Sequence, residues 1–500
     1  MPDEMPVFVP HMTGEEFRSL GREVVDLIAE YMMRVERLPV RARSLPGELL
    51  GKLPMEPPAR GEKWGEILAD VERLIVPGLT HWQSPNFFAY FPANGSFPAI
   101  LGDLLSSGLG VNGMLWATSP AATELETRVL DWLGGMIGLP GEFLSPSGSG
   151  GGVIQGTASE ATLVALVAAR SRAMKRHAPR AATTDLGSRL TLYTSTQAHS
   201  SVIKGAMIAG LAAHPEDRRR VRMIETDETF AMKPEALGAA MASDVHAGLV
   251  PFFVCATVGT TSSTANDPVE KIGMICQGHD DQPWLHVDAA MSGAACVCPE
   301  YRGMLRGIGL ADSFCFNPHK WLLTNFDCDC LWTRDRESII NALSVTPEYL
   351  RNEASARGEV VDYRDWQIPL GRRFRALKLW FVIRHYGVEG LRAYIREHMR
   401  IAAIFEELVR SDARFEVVTP RTVTLVCFRL KARQGEGAEE TNARNRALLE
   451  AINASGKAML SHTVLKIGGQ EQFVLRMAIG GSGTEERHVR GAWAVVVGLV

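Results

Sequence analysis

The sequence lacks the features that mark several classes of protein. Its 500 residues carry a formal net charge of -4 and contain no long run of lysine or arginine, so we expect neither nucleic acid nor an anionic membrane surface as a partner. No uninterrupted apolar run is long enough to cross a membrane. The N-terminus has no basic stretch followed by an apolar one, so a cytoplasmic protein is predicted.

Cysteine is also sparse and is not arranged for a structural role. The eight cysteines are scattered through apolar segments, with no C-x-x-C pair and no Cys/His spacing suited to zinc. We therefore predict no metal site and no disulfide framework. The thiols are expected to be buried in a reducing compartment.

The composition that remains is that of an ordinary globular protein, with 46% hydrophobic and 22% charged residues. Near the N-terminus, Thr13 and Glu16 have the spacing of a capping box, and apolar residues then recur at helical spacing. A Pro-rich stretch separates this helix from a second helical segment near 64–74. We expect residues 1–96 to form a helical segment that packs on another subunit.

The rest of the chain predicts two further domains. Apolar β-rich runs alternate with helical stretches over 97–380, which indicates a large α/β domain with a mostly parallel sheet. Its clearest strands are predicted at 190–194, 249–257, 284–287 and 313–316, and its clearest helices at 161–177 and 202–211. Residues 381–500 predict a small α+β domain with helices at 388–408 and 442–452 and strands at 422–430 and 473–478.

A Ser- and Gly-rich stretch at 145–152 leads through Thr157, Ala158 and Ser159 directly into a helix. Free backbone N–H groups at a helix start, together with the helix dipole, can hold a phosphate. The stretch has no G-K-[ST] and no G-x-G-x-x-G after a strand, which argues against an ATP loop and a dinucleotide site. By itself the stretch could equally be a flexible loop followed by a helix N-cap, with no phosphate site.

Two predicted strands end in residues that can carry chemistry. Asp288 ends an apolar strand, where ligands bind in parallel sheets, and Lys320 follows another strand in a neighbourhood with few charges. Alone, the aspartate could be a turn residue and the lysine could reach the surface. Pyridoxal phosphate (PLP), however, needs a phosphate-binding site, a carboxylate and a desolvated amine, and all three are predicted here in one α/β domain. His199 adds an imidazole that could stack on the PLP ring.

Seven segments resemble the aromatic L-amino acid decarboxylases, which are group II PLP-dependent decarboxylases of fold type I. The segments lie in order and extend over roughly residues 10 to 400; they are 81–92, 117–126, 152–161, 197–201, 286–290, 317–321 and 362–374. The resemblance implies the aspartate-aminotransferase-like α/β fold. It also implies a homodimer with active sites at the subunit interface.

The resemblance assigns roles residue by residue. Lys320 would carry PLP as a Schiff base, Asp288 would pair with the pyridine nitrogen, and His199 would stack on the ring. The other residues implied at the cofactor are Thr157, Ala158, Ser159, Thr261, Ala290, Asn317 and His319.

Tyr349 matches the family's proton donor, a tyrosine on a mobile loop, which here would lie within 334–360. Related aldehyde synthases typically replace this tyrosine or the ring-stacking histidine, and both residues stand in this chain. We therefore predict decarboxylation of an aromatic L-amino acid to the arylalkylamine and CO₂. An aromatic acetaldehyde synthase is the alternative.

The substrate pocket is predicted from aromatic residues of the matching segments. Phe88, Tyr90, Phe91 and Trp116 would form an apolar box, although each of them could equally belong to the core. Gly371 stands where related phenol- and imidazole-selective enzymes carry serine, which leaves room for an indole and favours tryptophan, with phenylalanine, tyrosine or DOPA as further substrates. Four positions depart from the usual residues and put catechol preference in doubt: Ala93, Asn112, Met114 and Met291.

Two other functions use overlapping residues. A transaminase would employ the same lysine and aspartate but typically needs an arginine for the α-carboxylate that it retains. A protein that binds PLP without catalysis would keep the site for stability alone. The presence of Lys320, Asp288, His199 and Tyr349 together argues against this last reading.

Overall fold

The structure, a computed structural model, describes residues 11–177, 183–345 and 360–500. It contains two β-sheets, one of seven strands and one of five. No helix in the described ranges is long and apolar enough to span a membrane.

The N-terminal region opens with the predicted helix. In α1 (Gly14–Arg34), the Thr13 hydroxyl accepts a hydrogen bond from the Glu16 backbone, and the Glu16 carboxylate accepts one from the Thr13 backbone, which confirms the capping box. No residue of α1 is buried within the chain, and Phe17 on this helix is 59% exposed. An amphipathic helix with an uncovered apolar face fits the expected packing on another subunit. The region continues with α2 (Glu48–Lys52), α3 (Trp64–Asp70) and strand β1 (Phe87–Phe88).

Strand β1 ties this region to the distant C-terminal part of the chain. Phe87 and Phe88 pair in parallel with Met459 and Leu460 of a strand in the five-stranded sheet. The N-terminal region is therefore not purely helical. Its assignment as a separate dimerisation segment stays a prediction.

The large α/β region is built on the seven-stranded sheet. Its strands are β2 (Gly151–Gln155), β3 (Leu190–Ser195), β4 (Val221–Ile224), β5 (Val250–Thr257), β6 (Trp284–Asp288), β7 (Ser313–Phe316) and β8 (Asp329–Thr333). Their order is β2-β8-β7-β6-β5-β3-β4; β8 is antiparallel to both neighbours and the other pairs are parallel. The four predicted strands are confirmed to within one residue at each end.

Helices cover both faces of this sheet, which explains why its strands are apolar runs and not alternating patterns. Along β6, Leu285 and Val287 belong to one core and Trp284 to the core on the opposite face. The helices are α4 (Phe97–Leu109), α5 (Pro120–Ile137), α6 (Ala158–His177), α7 (Thr183–Arg189), α8 (Ser201–Ile208), α9 (Pro234–His246), α10 (Val269–Gly278), α11 (Pro318–Trp321) and α12 (Arg336–Leu343).

The C-terminal region packs three helices on the five-stranded sheet. The helices are α13 (Ala376–Ser411), α14 (Ala438–Ser455) and α15 (Glu486–Val497), and the strands are β9 (Phe415–Val417), β10 (Leu425–Leu430), β11 (Met459–Ile467) and β12 (Gln470–Ala478). The sheet order is β1-β11-β12-β10-β9.

The predicted domain boundary at 380 lies inside the first half of α13. A break in this helix occurs at Gly387, whose φ of 65° is accessible to glycine at little cost. The division of the chain at 96 and 380 stays a prediction.

Candidate active site

The residues predicted to hold the cofactor come together at the carboxyl edge of the parallel strands. They surround one cavity of about 230 Å³, at the edge where ligands bind in open α/β sheets. All of the predicted cofactor residues line it: Thr157, Ala158, Ser159, His199, Thr261, Asp288, Ala290, Asn317, His319 and Lys320.

The start of α6 forms one end of this cavity. The Thr157 carbonyl accepts the first hydrogen bonds of the helix, from the backbone of Glu160 and of Ala161. The N–H groups of Ala158 and Ser159 precede these bonds and have no carbonyl of their own helix to reach. With the positive end of the helix dipole beside them, they are suited to hold a phosphate.

Asp288 ends the central strand β6 and is almost fully buried. Its Oδ1 accepts a hydrogen bond of 2.9 Å from the Ala290 backbone, which fixes the carboxylate just past the strand end. The group lines the cavity and can face a ring nitrogen there. A negative charge at that position favours a protonated pyridine nitrogen.

His199 follows β3 and approaches the cavity from another side. Its Nδ1 accepts a hydrogen bond from the Ser201 backbone, so the neutral ring carries its proton on Nε2. Burial lowers the pKa of His199, with the Asp288 charge opposing this and Lys320 adding to it. The imidazole is therefore neutral at physiological pH and suited to stacking.

Lys320 lies in α11, directly after β7. Burial lowers the pKa of its ammonium group, while the nearby Asp288 carboxylate opposes this shift. The Nζ atom lies 5.6 Å from the centre of the Phe91 ring. A desolvated amine of this kind is more often neutral and is a better nucleophile toward an aldehyde.

Asn317 and His319 form a second hydrogen-bonded unit at the cavity. Burial lowers the pKa of His319 to about 3, and its Nδ1 accepts a hydrogen bond of 2.9 Å from the Cys328 backbone. The neutral ring then carries its proton on Nε2, and the structure places the Asn317 Nδ2 2.9 Å from it, so that two donors face each other and Oδ1 has no partner within the described residues. Turning the amide about its own axis removes both conflicts. The amide oxygen must face that proton, so the Asn317 NH₂ group is left as a donor toward the cavity.

These groups fit PLP. A nucleophilic amine, a carboxylate for the ring nitrogen and a helix start for the phosphate all face the same space. The Thr257 hydroxyl at the cavity is buried without a hydrogen-bond partner in the described residues, as expected where a polar ligand completes the bonding.

A second cavity of about 520 Å³ adjoins the first and shares six lining residues with it: Phe91, His199, Thr261, His319, Lys320 and Phe326. Three of the predicted substrate residues line it, namely Tyr90, Phe91 and Ala93. Trp82 stacks on Tyr90 with ring centres 5.7 Å apart. The walls that this cavity adds are Trp82, Pro92 and Arg476.

Arg476 is the most important site residue that the sequence reasoning missed. It is 3% exposed, and its guanidinium donates to the Thr261 and Ser262 carbonyls and to the Ser461 hydroxyl. No carboxylate pairs with it among the described residues, although a buried cation favours an anion. It lies on β12, far in sequence from the matching segments, and the only sequence signal is a charge within an apolar strand.

Five other lining residues were not predicted as part of the site: Trp82, Pro92, Thr257, Gly259 and Phe326. Met291, noted from the sequence only as a departure from the family pattern, also lines the cofactor cavity. Thr257 ends strand β5, so the rule that ligands bind at the carboxyl edge could have found it. We find no sequence signal for Phe326.

The remaining predicted substrate residues lie away from both cavities. Phe88 is fully buried in a core of the C-terminal region. Trp116 and Met114 are hydrogen-bonded through their backbones to the segment at 362–364, and the Asn112 side chain accepts from Arg372, next to Gly371. Tyr349 lies outside the described residues.

Comparisons with known proteins agree on the family of this site. Residues 46–431 match the pyridoxal-dependent decarboxylase conserved domain. Tryptophan decarboxylase 2 of Oryza sativa subsp. japonica is 49% identical over 97% of this chain and 94% of its own length. Phenylacetaldehyde synthase of Arabidopsis thaliana is 50% identical over 97% of this chain and 96% of its own length.

A solved structure extends the likeness to three dimensions. The crystal structure of Oryza sativa TDC with PLP and tryptamine superposes with a TM-score of 0.93 and 44% identity. The superposition covers 98% of this chain and 99% of that one.

Proposed function

The chain belongs to the pyridoxal-dependent decarboxylase family, and on this premise we propose that it converts aromatic L-amino acids to arylalkylamines and CO₂, with tryptophan preferred. One observation carries the proposal above the others. A cavity that joins Lys320, Asp288 and His199 to a helix start opens directly into an aromatic-walled cavity. The first fits the cofactor and the second fits an aromatic side chain.

PLP, when bound, supplies the electron sink that stabilises the electron pair left on Cα when CO₂ departs. The protein's own groups prepare that chemistry. Lys320 offers a desolvated amine for covalent attachment, and Asp288 holds a proton on the ring nitrogen. The Ala158 and Ser159 backbones and the Asn317 amide hold the phosphate end.

The larger cavity orients the amino acid. Its walls from Trp82, Tyr90 and Phe91 suit a flat apolar side chain. Arg476, a buried cation at the same cavity, is the group that we assign to the substrate carboxylate. These contacts place the amine of the substrate near Lys320.

Arg476 weakens one argument from the sequence. The expectation that a transaminase would need an arginine for the α-carboxylate no longer speaks against that reaction, because an arginine does line the cavity. The preference for decarboxylation rests instead on family membership and on the combination of His199 with Tyr349.

The amine product requires a proton at Cα once CO₂ has left. We assign this donation to Tyr349 and the stacking contact to His199; related aldehyde synthases typically replace one or the other of these residues. Without prompt protonation, dioxygen can take two electrons from the same carbon and leave as hydrogen peroxide, and water then releases the aldehyde and ammonia. Retention of both residues favours the amine.

We also propose a cytoplasmic homodimer with active sites at its interface. Apolar side chains on α4 lie uncovered within one chain, including Phe97 and Leu104, each 50% exposed. Asn112, Met114 and Gly371 lie away from this chain's cavities, as expected if they reach the partner's pocket.

The experiment is an assay of the purified protein supplemented with PLP. It uses tryptophan, 5-hydroxytryptophan, phenylalanine, tyrosine, DOPA, histidine and glutamate, and it measures CO₂, amine, aldehyde and peroxide. Amine with equimolar CO₂, highest with tryptophan, is expected. Aldehyde with peroxide would identify an aldehyde synthase, and cofactor binding with no product would indicate a non-catalytic protein.

A further inference from the structure

The start of strand β8 carries a buried carboxyl group that the proposed reaction does not use. Asp329 is 0% exposed. Within the described parts of the chain, neither of its carboxyl oxygens has a hydrogen-bond partner. An ionised carboxylate in such a place is costly, because burial removes its hydration and nothing replaces it.

The sheet register shows which group lies opposite. Asp329 pairs with Gln155 across the antiparallel strands β2 and β8. Side chains directly opposite each other lie on the same face, with Cβ atoms about 4.5–5.5 Å apart. The Gln155 Nε2 donates a hydrogen bond of 2.7 Å to the Trp366 carbonyl, while its Oε1 has no partner.

The Trp366 carbonyl fixes the orientation of the Gln155 amide. Turning the amide would bring its oxygen against that carbonyl oxygen, so Oε1 remains the acceptor beside Asp329. The two residues thus present three oxygens and no donor. A proton on Asp329 supplies the missing donor.

The same carboxyl lies within the electrostatic field of the cofactor site. Strands β7 and β8 pair Phe316 with Cys330, so one further step in this register brings Asn317 opposite Asp329. The titratable groups that interact with Asp329 come from several elements: Asp288 at the end of β6, Lys320 on α11, Glu160 on α6, Cys315 on β7, and Cys328 and Cys330 before and within β8.

We propose that Asp329 is a positioning residue of the cofactor site that acts in its un-ionised form. Its hydroxyl donates to Gln155 Oε1 and keeps the strand ends beside the phosphate-binding helix in place. Loss of its proton puts a second negative charge near Asp288 and the cofactor phosphate, which weakens cofactor binding. The inference rests on PLP binding and not on the identity of the substrate.

The direction of the pKa shift of Asp329 agrees with an un-ionised carboxyl that donates to Gln155. Burial raises the pKa of Asp329 well above its ordinary value, Asp288, Cys328 and Glu160 raise it further, and Lys320 lowers it. Bound phosphate would add negative charge near Asp329, whereas the single positive charge on the ring nitrogen would be paired with Asp288, so the net change near Asp329 is negative. The pKa of Asp329 is therefore higher with cofactor than without it.

The sign of the pH effect follows from that difference. Cofactor affinity is full below the pKa of Asp329 in the cofactor-free protein. It falls about tenfold per pH unit between that pKa and the higher pKa of the loaded protein, and it is constant above both.

The test measures PLP affinity by absorbance titration from about pH 6 to about pH 10. It compares the unmodified protein with Asp329→Asn and Asp329→Ser, which leave no group at this position that titrates in that range, and with Asp280→Asn as an exposed carboxylate control. The unmodified protein and the control are expected to lose about tenfold or more in affinity at the alkaline end. Asp329→Asn is expected to match them at low pH and to keep its affinity throughout.

Infrared difference spectra of unmodified protein minus Asp329→Asn give a second readout without turnover. An un-ionised carboxylic acid band at neutral pH is expected. The proposal is overturned if that band is absent, if the Asn variant shares the alkaline loss, or if both variants bind PLP poorly at every pH, since each result would mean that the carboxyl acts as an anion or not at all.

Discussion

The two adjoining cavities are built in different ways. The residues predicted for the cofactor lie between Thr157 and Lys320, most of them just beyond a strand of one sheet or at a helix start. The aromatic cavity instead joins side chains from 82–93, Phe326 and the distant Arg476. One sheet edge thus provides the chemistry, whereas the meeting of separate regions determines which substrate is accepted.

The strongest way to test this contrast is to remove the central group of the cofactor cavity. Lys320→Ala is expected to abolish the visible absorbance of bound PLP and to reduce turnover at least about a thousandfold, because the nucleophilic amine is lost. Lys175→Ala, at an exposed lysine on α6, serves as the control and should bind PLP normally. Persistence of both absorbance and turnover in Lys320→Ala would refute the site assignment.

The next largest effect tests whether product identity can change while both cavities stay intact. Tyr349→Phe is expected to lower the amine yield about a hundredfold and to produce aldehyde and peroxide, because the proton donor for Cα is lost. Tyr386→Phe is the control, and amine and aldehyde are measured together. An unchanged amine yield in Tyr349→Phe would remove its proposed role.

A smaller effect separates substrate binding from cofactor binding. Arg476→Met should raise KM for tryptophan and lower kcat/KM about thirtyfold with PLP affinity unchanged, because a buried cation no longer meets the substrate carboxylate. Arg429→Met is a matched control, since Arg429 is equally buried in the same sheet and does not line either cavity. Equal losses in the two variants would point to a folding defect and contradict the assignment.

The smallest effect concerns the residues placed outside this chain's cavities. Gly371→Ser is expected to shift the ratio of tryptophan to tyrosine turnover about fivefold toward tyrosine, because a hydroxyl reduces the room for an indole. Gly371→Ala distinguishes size from hydrogen bonding; among the described residues an added Cβ would meet only the Asn112 amide nitrogen, at 3.8 Å. An unchanged ratio in both variants would exclude this position from the pocket.

The contrast between the cavities also explains what the sequence could predict. Asp288 and Lys320 follow recognisable apolar strands, and the carboxyl ends of parallel strands meet at one edge, so their proximity could be inferred. Strands β8 and β2 were not predicted. Strand β2 was missed because Gly151 and Gly152 look like part of the preceding Gly-rich loop. Strand pairing gives these glycines their extended conformation.

Long-range pairing accounts for the errors in the aromatic cavity. Phe88, Tyr90 and Phe91 are neighbours in one motif, yet Phe88 points into a core once β1 joins the C-terminal sheet. Tyr90 has a positive φ of 54°, which interrupts the extended backbone after β1. The side chains of Phe88 and Phe91, on either side of it, therefore point in different directions. Arg476 reaches the site only through the same docking of distant regions.

The two-residue strand β1 has a consequence for the exchange of parts between related enzymes. Because Phe87 and Phe88 are held by Met459 and Leu460, the aromatic wall at 90–93 is anchored to the C-terminal sheet, although it precedes the large region in sequence. A chimaera that exchanges only residues 381–500 would therefore pair a foreign β11 with the native β1. Recombination between relatives should preserve substrate choice only when 81–93 and the C-terminal sheet are inherited together.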